Sequence, residues 1–168
     1  MTTSYESDRT NIVQQLLKIA SNLNAVDKKG MTALHYACEA GYEDVVETLL
    51  KGNCEVDSLN KESRTPLAYA CKNGCLKIVQ MLIGKNCYVN NTDLIDSNCT
   101  TTNINKQGDA ALHLACRNKY IRIVDSLLKH DKRNVDLNVP GGQGVTPLFI
   151  ACLYGHEELL YFFNKTRW

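Results

Sequence analysis

The chain has few of the residues that announce chemistry or membranes. One tryptophan, three phenylalanines and three prolines are spread over 168 residues, and no apolar run approaches the roughly 18 residues of a membrane span. The opening residues, Met1-Thr-Thr-Ser-Tyr-Glu-Ser-Asp8, lack the apolar core of a secretory signal, so the expected compartment is the cytoplasm, with the nucleus as the alternative. Charge is balanced, 19 basic residues against 18 acidic ones for a net +1, and no long basic run occurs. That excludes a nucleic-acid binder whose affinity comes from neutralising phosphates. Pro140-Gly-Gly-Gln-Gly144 lacks the Lys-Ser/Thr that completes a phosphate-binding loop and reads as a hairpin tip. With 44% hydrophobic and 22% charged residues, the composition is that of one globular domain, not a disordered tail.

What the chain does have is cysteine and self-similarity. Eight cysteines would allow about 105 disulfide pairings in a secreted chain, so their placement has to be explained. The segment Gly30-Met-Thr-Ala-Leu-His-Tyr-Ala-Cys-Glu-Ala-Gly41 returns 33 positions later as Ser63-Arg-Thr-Pro-Leu-Ala-Tyr-Ala-Cys-Lys-Asn-Gly74. It returns again from Gly108 to Lys119 and from Gly144 to Gly155, at intervals of 45 and 36, which places insertions of 12 and 3 residues before the third and fourth copies. Each copy continues into apolar residues at i, i+1, i+4 and i+5, such as Val45, Val46, Leu49 and Leu50, the spacing of a helix with one buried face.

Local signals make each copy a helix-turn-helix unit. Thr32, Thr65 and Thr146 stand where a hydroxyl can accept a bond from an orphan amide of the first turn. Pro66 and Pro147 follow at the first helical position, where a missing N–H costs nothing. Gly41, Gly74 and Gly155 suit the positive φ that ends a helix before a tight turn, whereas Lys119 in the third copy would adopt it at some strain. Neither helix of a unit can bury its apolar stripe alone, so the units must stack.

A 33-residue period opening on Thr-Pro-Leu-His-x-Ala-like segments resembles the ankyrin repeat. No copy keeps the opening intact; the four read Thr-Ala-Leu-His, Thr-Pro-Leu-Ala, Ala-Ala-Leu-His and Thr-Pro-Leu-Phe. The resemblance implies an all-α, ankyrin-repeat solenoid of stacked helix-turn-helix units with connecting hairpin loops. It divides a single domain over 1–168 into an N-terminal half repeat (9–28), repeats at 29–60, 61–93, 106–139 and 140–168, and an insertion at 94–105. Ile12, Val13, Leu16 and Leu17 would supply the second helix of the half repeat. The Asn- and Thr-rich 91–103 stretch predicts a long finger or mobile loop. Tyr161 and Phe162 stand where a terminal repeat should be polar, so the last repeat is read as truncated and the chain as a fragment of a longer array; the alternative is that Trp168 folds back over it.

Read in register, Cys38, Cys71, Cys116 and Cys152 form one column on the first helix, and Cys54 and Cys87 a second in the connecting loops. Small buried thiols suit close helix contacts. Neighbouring repeats lie about 8–10 Å apart, too far for a disulfide along a column. Cys75 and Cys99 are left as candidates for reactivity. Neither metal, cofactor nor catalytic residue is expected: Cys71 and Cys75 lack a second ligand pair, and Cys38 with His35 lacks an orienting third group. The resemblance gives His35 and His113 a structural part, tying hairpin turn to helix.

Function is then expected in recognition. The resemblance implies that partners are held by hairpin tips and by the exposed side of each first helix. The tip positions are Lys28, Lys29 and Met31; Lys61, Glu62 and Arg64; Lys106, Gln107 and Asp109; Gly142, Gln143 and Val145. The helix positions are Tyr36, Glu39 and Ala40; Tyr69, Lys72 and Asn73; Leu114, Arg117 and Asn118; Ile150, Leu153 and Tyr154. One column reads Tyr36, Tyr69, Leu114, Ile150, an apolar stripe; the next reads Glu39, Lys72, Arg117, Leu153. Basic residues outnumber acidic ones across this set, which predicts a basic groove with tyrosine anchors for a protein or peptide bearing acidic and apolar residues. The alternative is that Tyr36 and Tyr69 only pack between repeats. The leading function is a non-catalytic scaffold or adaptor, monomeric in isolation; the alternative is a regulatory segment of a larger enzyme or channel.

Overall fold

The computed structural model describes residues 22–85, 111–130 and 144–166, together with Asp8, 11–15, Asn138, Pro140 and Gly141. The 94–105 insertion, Cys87, Cys99, Leu16, Leu17 and Trp168 lie outside them. Helical residues 11–15 (α1) precede four pairs: α2 (Ala33–Ala40) with α3 (Glu43–Lys51), α4 (Pro66–Asn73) with α5 (Leu76–Gly84), α6 (Ala111–Arg117) with α7 (Ile121–His130), and α8 (Pro147–Leu153) with α9 (Glu157–Thr166). No strand occurs among the described residues. The first helices stack in an inner row, α2 on α4, α4 on α6 and α6 on α8, and α3, α5 and α7 form an outer row against it.

Three of the four pairs start on the threonine cap that their sequence dictates. The Thr32 hydroxyl accepts from the His35 amide at 3.4 Å, Thr65 from Ala68 at 3.2 Å and Thr146 from Phe149 at 3.2 Å. The first helices end in one shared turn. The amides of Tyr42, Cys75 and Tyr120 donate back to the carbonyls of Ala37, Ala70 and Ala115 at 3.0 Å each, and His156 to Ala151 at 2.9 Å. That turn needs a left-handed residue, supplied by Gly41 at φ 74° and Gly74 at φ 75°, and in the third pair by Lys119 at φ 59°.

The core lies between the rows, where Leu34, Val46, Leu67, Val79, Leu112, Val124, Leu127 and Leu159 are nearly or wholly removed from water. Cys38, Cys71 and Cys116 are fully buried in it, as their column requires. Cys152 departs from the column: it is exposed, because no described helix covers the far side of α8. The tips are built alike. Asp27, Asn60 and Gly141 donate their amides to the carbonyls of Met31, Arg64 and Val145, closing loops of the same length. Adjacent tips touch through the Lys61 amide on the Lys29 carbonyl at 2.9 Å, so the first two hairpins form one continuous edge.

Candidate partner-binding surface

The tips and inner helices of the first two repeats enclose an open cleft of about 400 Å³. Lys28, Lys29, Lys61 and Arg64 line it with Glu39, Glu62, Met31, Asn60, Tyr36 and Tyr69. Lys28, Lys29, Lys61 and Glu39 are exposed, and Arg64 is half-buried. The Arg64 guanidinium reaches Glu62 at 2.9 Å and stands 5.9 Å over the Tyr69 ring. Four cations thus meet two carboxylates, one of which already engages Arg64.

Two polar braces hold this edge in place, an exposed one on Asp27 and a buried one on Asn60. The Asp27 carboxylate accepts from the amides of Lys29 and Met31 at 2.8 Å each and from the Tyr36 hydroxyl at 2.8 Å. These donors, Met31 foremost and then Tyr36, hold the Asp27 carboxyl below its ordinary 3.8, and the same bond raises the Tyr36 phenol. One repeat on, Asn60 does the same work without charge. Its carbonyl accepts from the Glu62 and Arg64 amides at 2.9 Å each, and its NH₂ donates to the Tyr69 hydroxyl at 2.9 Å.

His35 joins the two repeats. Its Nε2 lies 3.0 Å from the Arg64 carbonyl and therefore carries the proton; Nδ1 accepts from the Thr32 amide at 3.1 Å. Burial holds its basicity below the usual 6.5. The ring thus ties its own helix cap to the next hairpin, a longer reach than the bond within one repeat that the resemblance implies.

The apolar stripe expected from the sequence does not form a surface. Tyr36 is 44% exposed, but Tyr69, Leu114 and Ile150 are buried, as is Met31. The reason is directional: this helix position looks toward the preceding repeat, and Tyr69 stands edge-on to His35 of the first, ring centres 6.1 Å apart. Tyr36 is open because no described first helix precedes α2. The neighbouring column does reach solvent. Lys72 and Leu153 are exposed, Arg117 is partly so, and Tyr154 beside them stacks on His156. Lys106 and Asp109 lie outside the described residues.

Sequence reading missed the residues that brace this surface. Asn73 and Asn118, counted among the partner-facing positions, turn instead toward the preceding repeat, where they donate to the Glu39 and Lys72 carbonyls. The 33-residue spacing from Asp27 to Asn60, and from Tyr36 to Tyr69, was the available signal for the tip braces. Cys75 is half-buried, and burial raises its thiol pKa, as does Glu43. That runs against thiolate reactivity. Among the described residues no group of three or more His, Cys, Asp or Glu side chains is arranged to hold a metal, and no helix is long and apolar enough to cross a membrane.

Stacked helix pairs joined by tight hairpins define a repeat solenoid, and the comparison with known families names its kind. The family model for ankyrin repeats (three copies) matches residues 1–93 and again 94–165. The chain belongs to the ankyrin-repeat family, whose members are generally protein–protein interaction modules and typically non-catalytic. No curated protein matches it.

Proposed function

We propose that this chain is a non-catalytic scaffold or adaptor module, resident in the cytoplasm or nucleus, that binds a protein or peptide segment through its hairpin tips and the open part of its inner helix face. The observation that carries the reading is the cleft of the first two repeats, where Lys28, Lys29, Lys61 and Arg64 surround the exposed edge of Tyr36. A segment with Asp or Glu beside an apolar side chain complements it: the carboxylates meet the lysines and the apolar group lies on the tyrosine ring. Lys72 and Arg117 extend the same charge along the inner row toward the later repeats. Lys106 and Asp109 remain part of the proposed tip set on sequence position alone.

A displayed library of random peptides, selected on the full chain, tests this directly. Enriched sequences should carry Asp or Glu and lose binding by about tenfold or more to the K28E/K29E/K61E variant, since several close charge contacts reverse at once. Selection of neutral or basic peptides, or equal binding by the variant, overturns the placement.

A further inference from the structure

We propose that the open side of α8 is a self-association surface, on which a second copy of this chain docks α8 against α8 about a two-fold axis. Leu148, Phe149, Cys152 and Leu153 follow i, i+1, i+4, i+5 spacing and so share one helix face. Leu148, Phe149 and Leu153 are 46%, 55% and 64% exposed, and Cys152 is exposed as well. The opposite side of the helix, with Ile150 and Ala151, is buried toward α6.

At every earlier step of the stack this face is closed at the positions of Leu148 and Cys152, while the column of Leu153 stays open, with Glu39 and Lys72 exposed and Arg117 partly so. Leu34, Leu67 and Leu112, at the position of Leu148, are each 1% exposed, and the column cysteines before Cys152 are at 0%. In each case the cover is the next first helix: α4 over α2, α6 over α4, α8 over α6. The open face of α8 is thus the side that a neighbouring first helix covers three times in the stack, and a first helix is the object that fits it.

Composition says which first helix. The α8 sequence, Pro-Leu-Phe-Ile-Ala-Cys-Leu, carries no charge. At the column position where α2, α4 and α6 place Glu39, Lys72 and Arg117, it places Leu153. Two α8 helices can meet without burying an unpaired charge. The opposite end of the stack is a poor match: Tyr36 there is bonded to Asp27, and Lys28, Lys29 and Glu39 surround it. A head-to-tail contact would bury these charges and would not close, whereas an isologous pair closes at two copies. The sequence alone suggests a monomer; the uncovered α8 stripe is the observation that points to a pair.

Sedimentation equilibrium of the full chain tests this. A contact of this modest size should give micromolar association, so the mass should rise toward twice 18.8 kDa between about 1 and 100 µM. Phe149→Glu and Phe149→Lys should each weaken association by about tenfold or more, and their equimolar mixture should recover it by pairing opposite charges. Cys152 gives a second readout that needs no change at Phe149. A short bis-maleimide should join two copies through it, and Cys152→Ser should abolish that product. A wild-type chain that stays at 18.8 kDa to about 100 µM overturns the proposal. So does a dimer indifferent to both Phe149 variants, or cross-linking that survives Cys152→Ser.

Discussion

The Asn73 side-chain amide donates to the backbone carbonyl of Glu39 at 2.7 Å, joining the second repeat to the first. The Glu39 carbonyl belongs to the last turn of α2, where helix carbonyls have no partner within the helix. The equivalent carbonyls of Lys72 and Arg117 receive Asn118 at 3.4 Å and His156 Nε2 at 3.2 Å. Each repeat thus satisfies an orphan carbonyl of the one before. Asn73→Ala should lower stability by about 0.5–1 kcal/mol, because the bond is exposed and water can replace it in part. The urea midpoint should fall with the slope unchanged. Asn118→Ala should loosen its junction less, since that bond is longer, but it also removes a 2.9 Å bond to the Leu114 carbonyl of its own helix.

His35 makes stability depend on acid. Its neutral ring uses both nitrogens, donating from Nε2 to the Arg64 carbonyl and accepting at Nδ1 from the Thr32 amide. Protonation fills Nδ1 and removes that acceptor, and burial already disfavours the charged form. The folded pKa lies below the ordinary 6.5, so the unfolded chain binds more protons as pH falls. Stability is fully present above about 6.5 and is lost as pH drops from there through the depressed folded value. Urea denaturation at pH 7.5 and pH 5 should show this fall, and His35→Gln should be less stable at pH 7.5 but flatter with pH.

Gly74 and Lys119 occupy the same turn and should respond oppositely to substitution. At Gly74, φ is +75° and an added Cβ would lie 2.6 Å from Cζ of Tyr120. Gly74→Ala therefore combines left-handed strain with a ring clash and should cost about 2 kcal/mol or more. Lys119→Gly relieves the strain of φ 59° and should stabilise by up to about 1 kcal/mol. The exposed Lys119–Glu158 ion pair lost with it contributes little. Thermal melts of the two variants, read as shifts in Tm, check both signs.

The thiols should divide by position in the stack. Cys38, Cys71 and Cys116 are fully buried, and burial pushes the Cys116 thiol up to about 12. Among the described thiols, mild alkylation of the native chain should label Cys152 first, with Cys54 and Cys75 slower because burial raises both. The three core thiols should react only after unfolding. Mass spectrometry of the labelled peptides gives the order, and early labelling of Cys71 would show that the repeats separate readily.

Much of the fold was legible in the sequence because each repeat writes its own boundaries. Thr65 with Pro66 started a helix where expected, and Gly74 ended it, since caps and left-handed turns are decided by a few neighbouring residues. Even the exception was readable, as Lys119 does take the left-handed turn. The lysines of the first two tips were legible as surface for the same reason: loops between repeats face water. The tyrosine column was not. Tyr36 and Tyr69 are the same residue at the same repeat position, yet one is 44% exposed and the other 6%.

The period, the helix pairs, their caps and the membership of Cys38, Cys71 and Cys116 in a close-packed column were determined by sequence alone, because those properties repeat with local pattern. Which members of a column meet water was decided only by the tertiary structure. Burial on a solenoid comes from the neighbouring repeat, so identical positions part company at the two ends of the described stack. Tyr36 opens at one end and Cys152 with Leu148 at the other, and in between the same positions close.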